Sequence, residues 1–373
     1  MEFRTKNEHN GSNVKLYKRR GGLGYRDGQS LAALIYSSTI NTYRVNLHII
    51  TGKNRQSNRH EYTRTTRKMN TLVVGGTGLI GGHAALHLRS LGHNVTIAGR
   101  TQPQAPSPLA DLAFLRGNYL SGDITKEQLS AFETVVFTAG TDARHVPADV
   151  RDHDAYFLRA NGEGVPAFAA LAREAGVARF VHVGSYFWHA APSLVEGSAY
   201  VRSRKLESEG VAALARPGFA ATSLCPPMLV GDVSATAASP FAAELVQYFQ
   251  GRFGPAETAP PGGMAFLTLR SLSQAVAAAV ANSGRVSGRV LFVADENLTY
   301  AQFFGYFRRA LGVADGGGEL RIDEDHPLFP RAVRMAGDAN VFMETTAETQ
   351  ELLGNYARND VYNAVEAIVA KRV

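Results

Sequence analysis

The chain has 373 residues, 45% of them hydrophobic, and a formal net charge of +6; that is apolar material enough for a folded core, and disorder throughout is excluded. No apolar run reaches the length of about 18 residues that spans a bilayer. The single cysteine, Cys225, rules out a disulfide scaffold and a thiolate zinc site, and no metal is expected; a reducing, cytoplasmic setting follows as the expectation.

The charge is unevenly placed. Residues 1–68 hold 14 Lys and Arg against Glu2, Glu8, Asp27 and Glu61, a net of +10, so the remaining 305 residues carry −4. This head has only two alanines, Ala32 and Ala33, and only residues 30–40 and 45–50 are apolar enough to bury anything. A targeting peptide, a basic arm for nucleic acid or anionic membrane, and a regulatory tail each fit the composition. The favoured expectation is an unstructured extension ahead of a natural start at Met69, with no nucleic acid or membrane as partner of the core.

From Met69 the pattern turns regular. Residues 71–75 (TLVVG) predict a first strand, and 79–91 a helix. Between them lies Gly75-Gly76-Thr77-Gly78-Leu79-Ile80-Gly81. In such a strand-turn-helix setting small residues let the backbone approach a pyrophosphate, and the helix N-terminus offers unpaired N–H donors. Residues 94–98 (NVTIA) predict a second strand, which runs into Gly99-Arg100. No carboxylate stands there to repel a 2′-phosphate, and Arg100 can pair with one, so NADP is expected, with NAD possible.

A third strand is predicted at 112–115, and further buried strands at 135–138, 180–183 and 221–224, each of these three after a helical stretch. Alternation of this kind implies an α/β protein with a Rossmann-type doubly wound parallel sheet. Beyond Gly231 the order loosens into a Pro/Gly-rich stretch at 254–263, a helix at 272–281, a strand at 290–293 and a helix at 300–311. Thr345-x-x-Glu348 predicts a capping box opening a helix toward Leu353, and 361–370 a last helix. The expected organisation is a basic head (1–68), a nucleotide-binding domain (69–231) and a smaller C-terminal substrate-binding portion (232–373) whose late helices pack back on the core.

These motifs together resemble the short-chain dehydrogenase/reductase superfamily, in the extended or atypical branch that includes the NAD(P)-dependent epimerase/dehydratase proteins. Besides the glycine turn, the resemblance rests on Gly122-Asp123-Ile124, Thr138-Ala139-Gly140, Asn161, the run from Phe180 to Ser185, the run Cys225-Pro226-Pro227-Met228-Leu229-Val230-Gly231, and Leu353-Gly354. It implies cofactor contacts at Gly75, Thr77, Gly78, Leu79, Ile80, Gly81, Asp123, Ile124, Thr138, Ala139, Gly140, Asn161 and Pro226, with Asp123 on the adenine. It also implies Ser, Tyr and Lys chemistry, in which a tyrosine exchanges a proton while nicotinamide exchanges hydride. Ser185 is the serine, with Tyr186 one place on as an alternative, and Tyr200 is the tyrosine.

The lysine departs from the family pattern Y-x-x-x-K. Residues four apart share a helix face, about 40° apart, and five apart diverge by about 140°. Here Arg204 stands four after Tyr200 and Lys205 five after. Arg204 is on the right face but cannot relay a proton; Lys205, with Glu209 four beyond it, mimics the family's Lys-to-Glu spacing. Both stay open as the active-site cation. His182 reads as a core or strand-face residue, and Trp188 and His189 as candidates for the pocket wall.

The reading is an NADP(H)-dependent oxidoreductase acting on a small carbonyl/alcohol pair. The alternatives are a sugar-nucleotide-type epimerase or dehydratase that keeps its cofactor, and a non-catalytic NADP(H)-binding sensor or scaffold. A homodimer is implied by the resemblance alone.

Overall fold

The computed structural model describes residues 68–373 except 143–145, 234–238, 240, 314–318, 332–333 and 355, together with the backbone of three short strands near the N-terminus. Those strands, Glu2–Lys6, Asn13–Arg19 and Gly22–Gly24, pair antiparallel within a unit that spans Met1–Thr63. Paired strands thus occupy part of the head read as unstructured. The apolar segments 30–40 and 45–50 lie outside the described residues.

The second unit, Arg64–Val373, is built on seven strands: β1 (Asn70–Val74), β2 (Asn94–Gly99), β3 (Ala113–Arg116), β4 (Thr134–Phe137), β5 (Arg179–Val183), β6 (Ala220–Cys225) and β9 (Val290–Phe292). Their order is β9-β6-β5-β4-β1-β2-β3, every pair parallel. Both faces of such a sheet are covered, which is why its strands read as nearly unbroken apolar runs. Val73 turns to one side with Ile97, Val136 and Val181, against α1 (Leu79–Ser90), α5 (Leu269–Ala281) and Leu352 and Leu353 of α7 (Ala347–Leu353). Leu72 and Val74 turn to the other side with Val135, Phe137 and Phe180, against α2 (Gly164–Glu174) and Val211 of α3 (Ala199–Ala213). Alternate residues of one strand thus feed two cores.

The chain runs from β1 outward through β2 and β3, then crosses to β4 on the other side of β1. The order reverses there, and the carboxyl ends of the strands leave a crevice.

A second, smaller sheet follows Cys225. In it β8 (Gly263–Thr268) pairs parallel with β7 (Met228–Val230) and with Asn340–Val341, and antiparallel with β10 (Glu296–Thr299). It packs with α4 (Ala242–Phe249), α6 (Tyr300–Ala310) and α8 (Val361–Ala370) around Phe266, Phe303, Phe304 and Phe307. The region after Gly231 does not form one body by itself, since α5 and β9 belong to the first sheet while α4, α6 and α8 belong to the second.

Several helix starts follow side-chain chemistry, with one shift from expectation. α7 is capped by Thr346, whose hydroxyl accepts from the Thr349 amide at 3.2 Å, and not by Thr345. Thr345 is buried and exchanges hydrogen bonds with Ala294, while its hydroxyl lies 2.9 Å from that of Tyr356. Reciprocal capping boxes occur instead at Thr125/Gln128 and Thr299/Gln302. Among the described residues no helix is long and apolar enough to cross a membrane.

Candidate functional site

A cleft of about 560 Å³ opens at the carboxyl ends of the first sheet's strands, within the usual size of a small-molecule site. One end is the glycine turn. Gly75 has φ +80°, where glycine alone is unstrained; a Cβ there would come within 2.8 Å of Thr138 Oγ1. A Cβ at Gly81 would run into the Gly75 carbonyl and the same threonine hydroxyl. Thr138 holds its side chain in place by donating to the Val74 carbonyl at 2.9 Å. Gly78 caps α1 without a side-chain hydrogen bond, and the first turn holds no acid. The 12-residue α1 therefore points free N–H groups and the positive end of its dipole into the cleft. This cradle fits a pyrophosphate, and its shape leaves no room for a side chain at Gly75 or Gly81.

Around the turn the cleft brings together Gly75, Thr77, Gly78, Leu79, Ile80, Gly81, Arg100, Thr138, Ala139, Gly140, Ser185, Tyr200, Arg204 and Pro226, all anticipated from sequence. Arg100 stands exposed at the end of β2. Ser185 follows β5, and Tyr200 and Arg204 lie one turn apart on α3, whose start is fixed by Ser198 accepting from the Val201 amide. The Phe157 ring packs edge-on against Tyr200, centroids 5.3 Å apart.

Four anticipated residues do not line the cleft. Lys205 turns away, half-buried, 3.9 Å from Glu209; the fifth place on a regular helix cannot share Tyr200's face. Asp123 is exposed and accepts from the Asn118 amide at 3.0 Å, which shapes the turn after β3. Ile124 is buried beneath Gly117. Asn161 is wholly buried: its Oδ1 accepts from the Thr141 amide (2.8 Å), and its Nδ2 donates to the Thr141 carbonyl (2.9 Å) and to Ser203 Oγ (3.1 Å). It braces the loop that carries Gly140 against α3.

Trp188 and His189 are also outside the cleft, both packed on Phe292 of β9. Tyr186 does reach the wall, but its hydroxyl donates to the Val341 carbonyl at 3.1 Å, and burial pushes its ionisation far above the usual range. That leaves Ser185 as the free-standing hydroxyl at this position. The neighbouring wall, from Asn118, Tyr119, Tyr156, Phe187 and Met264, was missed in sequence, since these residues come from separate segments with no shared motif. Burial raises the Tyr119 phenol to about 12, and its hydroxyl donates to the Ala160 carbonyl.

Arg204 is 8% exposed and its guanidinium lies close against Gly140, where any Cβ would strike it. Behind it Glu207, wholly buried, sits with Oε1 3.0 Å from Arg204 Nε and Oε2 3.4 Å from an Arg204 terminal nitrogen. His182, buried as expected, lies beyond with Nε2 3.4 Å from Glu207 Oε1 and Nδ1 2.7 Å from Ser223 Oγ. Glu207, three residues after Arg204, carried a signal in the sequence that only the arginine's inward orientation reveals.

Residues 71–210 match the model of the NAD dependent epimerase/dehydratase family. No curated protein matches the chain. Among solved structures it is similar to UDP-N-acetylglucosamine 4-epimerase from Bacillus cereus (15% identity, TM-score 0.59, 82% of this chain and 99% of that one). It is also similar to UDP-glucose-4-epimerase from Stenotrophomonas maltophila with bound NAD and formylated UDP-arabinopyranose (18%, 0.62, 82% and 97%), and to an engineered reductase (14%, 0.61, 82% and 99%). At these identities the likeness is one of fold, and the fold serves both reaction types. Over residues 71–210 the chain thus matches the NAD dependent epimerase/dehydratase family model, and its likeness to these solved structures is one of fold.

Proposed function

We propose that the protein is an NAD(P)-dependent enzyme of the epimerase/dehydratase type, working on a carbon that alternates between alcohol and carbonyl. The observation that carries this reading is that Tyr200, Ser185 and Arg204 line the same cleft as the glycine turn. A bound nicotinamide dinucleotide supplies reversible hydride exchange there. Gly75, Gly78 and Gly81 leave space for its pyrophosphate, and α1 offers the N–H donors. Tyr200 exchanges the proton of the substrate oxygen, Ser185 orients that oxygen by hydrogen bonding, and Arg204 supplies fixed positive charge on Tyr200's helix face. Because a guanidinium stays protonated, Arg204 positions and polarises but passes no proton.

Arg100 favours a second reading, a net NADP(H)-dependent oxidoreductase on a small carbonyl/alcohol pair, since an arginine after β2 suits a 2′-phosphate. The sensor reading drew on the missing lysine; with Arg204 on the cleft that argument loses weight.

One experiment separates them. The purified chain is incubated with catalytic NAD+ and UDP-sugars, and in parallel with NADPH and a carbonyl panel. Isomerised or dehydrated sugar without net reduced cofactor supports the first reading, and stoichiometric NADPH consumption supports the second. In either case Tyr200→Phe is expected to lower kcat at least about 100-fold. Tight cofactor binding with no turnover in any arm sinks both.

A further inference from the structure

Resting on that reading, a buried charge chain stands immediately behind the proposed reacting groups. Arg204 is the only member that lines the cleft; Glu207 and His182 have 0% side-chain exposure. Burying a lone guanidinium is costly, and a carboxylate at 3.0 Å on a second side of the same helix turn offsets that cost. Burial, the largest influence, opposes the Arg204 charge, yet Glu207 and then Tyr200 outweigh it and hold its proton more tightly than usual. Gly140 completes the seat, because any side chain there would displace the guanidinium.

We propose that Glu207 is a positioning residue that locks Arg204 against the cleft and cancels most of its charge, and thereby sets the proton affinity of the Tyr200 phenol. A free cation one helical turn from a phenol favours phenolate, and a compensated one does so much less. His182, on β5, lies on the opposite side of Glu207 from Arg204, its Nε2 3.4 Å from Glu207 Oε1, while its Nδ1 is 2.7 Å from Ser223 Oγ on β6. The other titratable groups described around this cluster are Tyr156 beside Phe157, Asp142 after β4, Tyr119 after β3 and Cys225 at the end of β6; all are present in every variant below, so differences between variants report the Arg204–Glu207 pair.

The test needs neither substrate nor cofactor. Phenolate absorbance near 295 nm is titrated for the full chain, and the same titration of a Tyr200→Phe counterpart is subtracted, which isolates Tyr200. In the Glu207→Gln background the isolated titration is expected to move down by about one pH unit, a tenfold change. In Arg204→Gln, where Glu207 stands uncompensated, it moves up by a similar amount, and in Arg204→Gln/Glu207→Gln it returns to within a few tenths of wild type. Where Glu207→Gln does not fold, the comparison of Arg204→Gln with the double variant carries the same information. Coincident titrations in those backgrounds overturn the proposal and assign Glu207 to stability alone. The shift in a protein that turns over no substrate would sink the functional reading and leave this one standing; turnover without the shift does the reverse.

Discussion

At the scale of single residues, space and charge at the cleft make separable demands. Gly81 faces the Gly75 carbonyl and Thr138 Oγ1 with no room for a methyl group. Gly81→Ala must push the turn outward, so NADH and NADPH binding, followed by cofactor fluorescence, is expected to weaken more than about tenfold while the fold survives. Arg100 stands at the end of β2, away from the reacting end of the cleft. Arg100→Ala is therefore expected to weaken NADPH by about tenfold and leave NADH within twofold, since a charge-assisted bond to phosphate contributes about 1.5 kcal/mol or more; equal losses for both cofactors would remove the case for a 2′-phosphate contact. The glycine turn and the place of Arg100 were legible in the sequence because each is tied to its own residue type at a fixed position after a strand.

The helical element that begins at His153 lends Tyr156 to the cleft wall and supports the site from behind. It opens as an α-turn (His153–Phe157), widens to a π-segment (Leu158–Glu163) and continues as α2. The π-segment places Asn161 inward, where its amide pairs with both backbone groups of Thr141 and with Ser203, whose own hydroxyl donates to the Tyr200 carbonyl at 2.7 Å. Asn161 thus ties the β4 loop to the first turn of α3. Asn161→Ala leaves three buried partners to find others, and urea unfolding is expected to show a loss of about 2 to 3 kcal/mol. The resemblance singled out Asn161 as a cofactor contact; the structure shows it wholly buried with its amide spent on Thr141 and Ser203. A π-segment has no residue signature of its own, so periodicity alone reads this stretch as ordinary helix.

Across the whole second unit, stability couples to pH where α1 meets α5. His83 Nδ1 lies 2.7 Å from Ser273 Oγ, and burial, followed by the nearby His87 and Lys371 charges, lowers its pKa from 6.5 to about 4. The folded state then binds the proton less readily than the unfolded chain. Stability from this site is complete above pH 6.5 and falls between pH 6.5 and about 4, by about 3 kcal/mol at most. Chemical denaturation at pH 7 and pH 4.5 is expected to show a smaller acid loss in His83→Gln than in wild type; identical losses would place the acid sensitivity elsewhere.

Local rules were sufficient for the first sheet. Its strands are short apolar runs bounded by glycine and loop residues, and β1 through β6 appear within one or two residues of the predicted limits. The strands after Cys225 were harder: β7, β8 and β10 are read as strands only because they pair with each other across about 70 residues of chain. The sequence by itself determined the glycine turn, the parallel sheet and the shared helix face of Tyr200 and Arg204, since each depends on spacing along one strand or one helix. Only the tertiary structure put Arg204 on the cleft and turned Lys205 away, gave Asn161 and Asp123 hydrogen bonds to neighbouring loops, and set Glu207 and His182 behind the arginine. Those outcomes depend on which groups lose water together, and burial is a property of packed elements, not of spacing along one of them.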